Sequence, residues 1–175
     1  MKNLLFLFFF LFLSVTNAQW YEQNINATGY FGGFHFANQE VGWLFSNNPS
    51  RIYKTTNSGI EWNLQFQTDG PISGSFFLGE NHGWFGDLDS YRTRLFYSSD
   101  GGQNWTLRFN TIYINFYKFH FFDSLNGIAI GSIGAPASMT IFRTSDGGVS
   151  WNTNEFYDHL STLFFIDSLN GWCAG

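Results

Sequence analysis

Apolar positions along this chain fall into two regimes. Near the N-terminus every residue from Leu4 to Leu13 is Leu or Phe, with Met1 and Lys2 close ahead of the run. A helix that crosses a membrane needs roughly 20 apolar residues, so this run is too short for one. A polar stretch ending in Thr16-Asn17-Ala18 follows, with small side chains at the positions that signal peptidase reads. The pattern predicts an export signal over residues 1–18, cleaved before Gln19, and a periplasmic, extracellular or cell-surface protein. No comparable apolar run follows, so the mature chain is expected to have no membrane span.

Beyond residue 30 the apolar residues come in short, strand-length clusters broken by turns rich in Gly, Asn, Asp and Ser, and these clusters repeat. Lys54 to Trp62, Tyr97 to Trp105 and Arg143 to Trp151 superpose without a gap, with tryptophans 43 and 46 residues apart. A second pattern, an aromatic run, a polar turn and then Gly, recurs four times. Its glycines, Gly42, Gly83, Gly127 and Gly171, lie 41, 44 and 44 residues apart. Two patterns advancing together at one period mark a repeat architecture. Each repeat reads as four short strands. In the third, Lys118–Phe122 is the first strand, Ile128–Gly131 the second and Thr140–Thr144 the third, and Trp151 opens the fourth. Asp146-Gly147-Gly148 is the last turn, since an Asp carboxylate accepts backbone N–H groups just ahead of it while Gly tolerates positive φ.

Composition agrees with strands and tight turns: aromatic residues make up 22% of the chain and Gly occurs 19 times. The formal net charge is −5 and the eight Lys and Arg residues are scattered, which argues against a nucleic-acid partner. Cys173 is the only cysteine, so no internal disulfide can form and stability must come from packing.

Ser98 to Trp105 and Thr144 to Trp151 resemble the Asp box of bacterial neuraminidase-type repeats. With the Gly turn motif ahead of each box, residues 30–175 are most similar to the propellers related to photosystem II assembly and stability factors. The resemblance implies an all-β fold, a β-propeller of four-stranded antiparallel blades at about residues 30–68, 72–110, 115–156 and 160–175, after a lead-in over residues 19–29. In the first box Asn57 replaces Asp and Ser58 replaces the first Gly, which predicts a weaker hairpin. Four turn motifs and three boxes amount to about three and a half blades, whereas propellers close with about four to eight. The expectation is a piece of a longer propeller, with completion of a ring by further copies as the alternative.

Because the box residues recur once per blade, they are expected to build turns and not to catalyse. They are Asn57, Gly59 and Trp62, then Asp100, Gly102 and Trp105, then Asp146, Gly148 and Trp151. Lys54, Tyr97 and Arg143 share the position two residues before each box. They are the candidate binding residues if they ring one face of the disc, and stems packed between blades if they do not. Asp87 and Asp89 read as a solvated turn, with a calcium loop as the alternative. His35 and His120 read as aromatic packing with Phe76 and Phe164 at the same repeat place, with a metal pair as the alternative. No cofactor and no metal is expected.

Both turn motifs fall on one face of an up-and-down blade, leaving the variable segments on the other. These are residues 46–50, 87–94 and 132–139, with the links 67–73, 110–117 and 154–160. Binding is expected there, which gives an exported binding or scaffolding module with a protein partner, a glycan being possible. A sialidase-like glycoside hydrolase is the alternative. The resemblance would then require a Pro after Arg-Ile ahead of the first box, where Arg51-Ile52-Tyr53 has none. The export reading predicts that secreted protein begins at Gln19. Intact-mass measurement checks this, and secreted material retaining residues 1–18 overturns it.

Overall fold

The computed structural model describes residue 25 and residues 28–134, 138–156 and 159–175; the export segment expected over residues 1–18 lies outside the described residues. Strands β1 (Tyr30–Phe36), β2 (Gly42–Asn47), β3 (Arg51–Thr55) and β4 (Asn63–Gln67) pair in chain order as one antiparallel sheet. The second sheet holds β5 (Ile72–Leu78), β6 (His82–Asp89), β7 (Arg92–Ser98) and β8 (Thr106–Ile112). The third holds β9 (Ile114–Phe121), β10 (Gly127–Ile133), β11 (Ser138–Thr144) and β12 (Asn152–Phe156). β13 (Thr162–Phe165) and β14 (Gly171–Ala174) form a two-stranded fourth sheet. The fold is all-β, and the inner strands β1, β5, β9 and β13 lie beside one another in that order.

Packing between sheets explains both sequence motifs. A Phe at or next to the end of each inner strand stands six residues before the motif glycine, and its ring covers that glycine: Phe36 on Gly42, Phe77 on Gly83, Phe121 on Gly127 and Phe165 on Gly171. A Cβ at any of the four would stand inside the ring, so only Gly fits there. At Phe77 and Phe121 the other face of the ring receives the Trp of the preceding blade. Trp43 stacks on Phe77 at 3.7 Å and 9°, and Trp84 stacks on Phe121 at 3.8 Å and 6°. Each indole also reaches the next Asp box, Trp43 Nε1 donating to Gly101 O at 2.9 Å and Trp84 Nε1 to Gly147 O at 3.0 Å. Both indoles are 0% exposed, and the core consists of one cluster at the first joint between blades and one at the second. Burying an indole of about 150–250 Å² at about 25 cal/mol per Å² puts roughly 4–6 kcal/mol in each joint, as an upper bound.

Several strand limits differ from the sequence reading. The segment 110–117 is almost wholly strand, with only Tyr113, at φ 64°, between β8 and β9. The segment 87–94 is no open loop: β6 and β7 carry on to a turn of Ser90 and Tyr91, with Ser90 at φ 59°. In the third repeat the first strand starts at Ile114, four residues ahead of Lys118, and Trp151 precedes the fourth strand instead of opening it.

These joints generate a stability prediction. Trp84→Ala should cost about 3 to 5 kcal/mol. Trp84→Phe, which keeps the stack and loses the N–H bond, should cost about 1 to 2 kcal/mol. Chemical denaturation distinguishes them, and equal losses would show that stacking contributes nothing to the joint.

Candidate functional site

The Asp boxes are closed hydrogen-bond cages. Asp100 Oδ1 accepts the Ser98 hydroxyl at 2.8 Å and the N–H groups of Gln103 at 3.0 Å and Asn104 at 2.9 Å, while Oδ2 accepts the Asn104 amide at 2.7 Å. The Ser98 hydroxyl oxygen takes the Gly102 N–H at 2.8 Å. Thr144, Asp146, Gly148, Val149 and Ser150 repeat the arrangement. Asn57 keeps the bonds from Thr55 Oγ1 at 3.0 Å and Glu61 N at 2.9 Å, but the Ile60 N–H turns to the Asn57 backbone carbonyl instead. Ser58 holds φ 62° where the other boxes have Gly101 and Gly147. The hydrogen bonds from Asn104 and Ser150 draw the Asp100 and Asp146 carboxyls down to about 2.

Two further carboxylates do the same work at the other turns of this face. Asp123 Oδ1 accepts the N–H groups of Leu125 and Asn126, both at 2.7 Å, and Asp167 repeats this with Leu169 and Asn170. Their acidity is raised by the Asn126 and Asn170 side-chain amides first and by the backbone N–H groups next. The sequence marks Asp123-Ser124-Leu125-Asn126-Gly127 as a turn, and the same five residues stand at 167–171; that the Asp carboxylate closes each turn is seen only in the structure.

The three candidate binding residues do not meet. Lys54 lies over Trp43, 4.9 Å from the ring centroid, and its Nζ donates to Gly101 O at 3.2 Å; burial lowers its pKa against the pull of Glu80 and Asp100. Tyr97 is buried with its hydroxyl 2.6 Å from His82 Nδ1. The Arg108 guanidinium sits 3.7 Å over the Tyr97 ring and donates to Asp146 O and Gly147 O of the next blade. Arg143 alone is exposed, beside Ile128 and Phe165 in a cleft of about 190 Å³. Lys54 and Tyr97 thus belong to the joints.

Asp87 and Asp89 do not form an open calcium loop. Asp87 is 0% exposed and takes both ends of the Arg94 guanidinium, at 2.9 and 2.7 Å, together with the Thr68 hydroxyl. Asp89 lies 3.5 Å from the same Arg94. A register that sets Asp87 opposite Arg94 across β6 and β7 makes the pair, which is why these residues belong to strands. His35 and His120 flank Phe76, with ring centroids 5.7 and 5.2 Å from it, and burial lowers the pKa of each. Among the described residues no group of three or more His, Cys, Asp or Glu could hold a metal ion.

One concavity lies between the inner strands, opening on the face opposite the boxes. It measures about 310 Å³ and is lined by Gly32, Gly33, His35, Ser73, Tyr117 and Lys118 among others. Superposed on solved structures, the sheets overlay those of YCF48, a photosystem II assembly factor, in a structure of YCF48 bound to D1 peptide, with a TM-score of 0.61. The fold is that of the YCF48 propeller. Identity there is 19%, over 74% of this chain and 40% of that one. YCF48 from Cyanidioschyzon merolae also gives 0.61, at 12% identity over 82% of this chain and 47% of that one. The chain therefore spans less than half the length of either YCF48 propeller. No family model matches the chain, and no curated protein matches its sequence.

The box carboxylates set a pH dependence. Their folded pKa of about 2 lies below the ordinary aspartate value of 3.8, so the stability they contribute is fully present above about pH 4 and is lost as pH falls through 2. Asp100→Ala should lower stability at neutral pH by about 1 kcal/mol, since water competes for these exposed bonds. Denaturation midpoints for the two proteins should converge between pH 4 and pH 2. A difference that persists unchanged at pH 2 would show that the carboxylate charge is irrelevant to the turn.

Proposed function

We propose that this chain is part of an exported β-propeller that binds another exported or membrane-associated protein through the face opposite its Asp boxes. The observation that carries the reading is the division between the faces. On one, Asp100, Asp123, Asp146 and Asp167 are all tied into turns, and the concavity of about 370 Å³ between Asp123, Arg143 and Ser168 lies at the seam with the two-stranded fourth sheet; on the other, the inner strands of three complete blades enclose the 310 Å³ cleft. Ligand sites of about 300–1,000 Å³ are concavities of this kind. The likeness to YCF48 supports the reading, because one matched YCF48 structure was solved with a D1 peptide bound. Export rests on the Leu4–Leu13 run and the Thr16-Asn17-Ala18 site.

The carboxylates of the boxes fit this reading better than glycoside hydrolysis. A glycosidase needs one carboxyl with a raised pKa to protonate the leaving group. Asp100 and Asp146 are pulled the other way, to about 2.

Photo-crosslinking in the cells that make the protein tests the face. Tyr91, 86% exposed, marks the cleft face and Val149, 52% exposed, marks the box face. A photoreactive residue at Tyr91 should give discrete protein adducts in the exported fraction, and one at Val149 should give none. Adducts from Val149 alone, or from neither position, would overturn the proposal.

A further inference from the structure

Each complete blade loses one step of register at the same place in its inner strand. Pairing of β1 with β2 skips Gly32, pairing of β5 with β6 skips Ser73, and pairing of β9 with β10 skips Tyr117. All three stand ten residues before a motif glycine, Gly42, Gly83 or Gly127. A bulge leaves its residue out of the ladder and re-aims it. Here it brings all three residues to the lining of the one cleft. The joint positions keep their residue type from blade to blade, Phe36, Phe77 and Phe121 over Gly42, Gly83 and Gly127, whereas the bulge position carries Gly, Ser and then Tyr. The Phe-over-Gly pair is constant, and the bulge position differs in every blade.

Three properties of this ring define what fits it. The backbone at Gly32 and Gly33 is open: a Cβ on Gly33 would meet nothing within 4 Å, and β1 is the edge of its sheet. Tyr117 is 40% exposed, yet its hydroxyl is held 2.9 Å from Ser132 Oγ, so the ring is oriented before any ligand arrives. Lys118 is the one formally charged residue in the lining, its exposed ammonium held only by a 3.5 Å contact to Thr162 Oγ1, and burial lowers the pKa of the neighbouring His35. An exposed strand edge accepts an extended chain, an oriented aromatic ring gives it a platform, and a single ammonium selects a carboxylate.

We infer that the bulge ring is a docking site for an extended peptide segment of the partner that carries an acidic residue. The segment's backbone runs along Gly32 and Gly33, its side chains pack on Tyr117, and its carboxylate meets Lys118. This deepens the function proposed above and rests on the same face.

Panning a library of short random peptides on the full chain, with affinities of the selected peptides read by fluorescence anisotropy, tests it. Selected peptides should be enriched in Asp or Glu. Gly33→Leu fills the cleft at a position with open space and no positive φ; it should weaken binding at least about tenfold with the melting temperature unchanged. Lys118→Glu should weaken acidic peptides by about tenfold and leave their Asn or Gln counterparts within about twofold. Selected peptides that bind both variants unchanged but lose binding on Tyr91→Ser would overturn the bulge ring and leave the face standing. A library that yields no peptide would likewise overturn it, while adducts at Tyr91 would still uphold a partner on that face. Peptides that protect residues 100–105 and 146–151 from hydrogen exchange would overturn both proposals.

Discussion

The structure depends on one compound contact made between blades: an indole lying flat on a phenylalanine that itself covers a glycine. The glycine removes a side chain so that the Phe can lie down, the flattened Phe offers a face to the neighbouring Trp, and the Trp N–H closes the joint on an Asp-box carbonyl. The contact is apolar at its centre and directional at its rim, so it sets both the spacing of the sheets and their rotation. Arg108 and Lys54 add cations to the same carbonyls, which gives the box a second purpose beyond turning its own strand. A rigid turn is needed because the carbonyl it presents is the acceptor for the blade before it.

Much of this was legible in the sequence because it repeats. The glycine and tryptophan spacings advance together, and a period with fixed turn chemistry encodes a stack of sheets whatever fills the core. What the glycine was for was not legible. Read alone, Gly42 or Gly127 looks like a turn residue, and only the ring of Phe36 or Phe121 above it shows that the missing side chain matters more than backbone freedom. The segment 87–94 was misread for a related reason. Asp87 and Arg94 look like a solvated, charged loop in sequence, but a hairpin register sets them opposite each other and buries the pair. Register also hid the bulges at Gly32, Ser73 and Tyr117. A skipped residue leaves no mark in composition, only a constant offset from a glycine ten residues further on, across one turn.

Charge is partitioned as sharply as packing. On the box face four aspartates sit among donors from their own turns, and their charges are neutralised locally by N–H groups rather than by partners at a distance. On the opposite face the ion pair of Asp87 with Arg94 is internal to one blade, and Lys118 is left as the charge that lines the cleft. The anionic balance of the whole chain is thus held mainly where nothing is expected to bind. A fold of this kind can alter its recognition surface without touching its joints, since the two draw on different positions of the same repeat.

Ile128 stands where the other blades have Trp43, Trp84 and Trp172, and with Phe165 it borders the small cleft at the third joint. An aliphatic side chain has neither the flat area nor the N–H of an indole, so this seam is held by fewer kinds of force than the two before it. In a stack where each unit touches only its neighbours, cooperativity runs as far as the weakest coupling allows. The first three blades are therefore tied to one another by a contact that the third and fourth sheets lack, and the cleft is built wholly from the blades on the strong side of that seam.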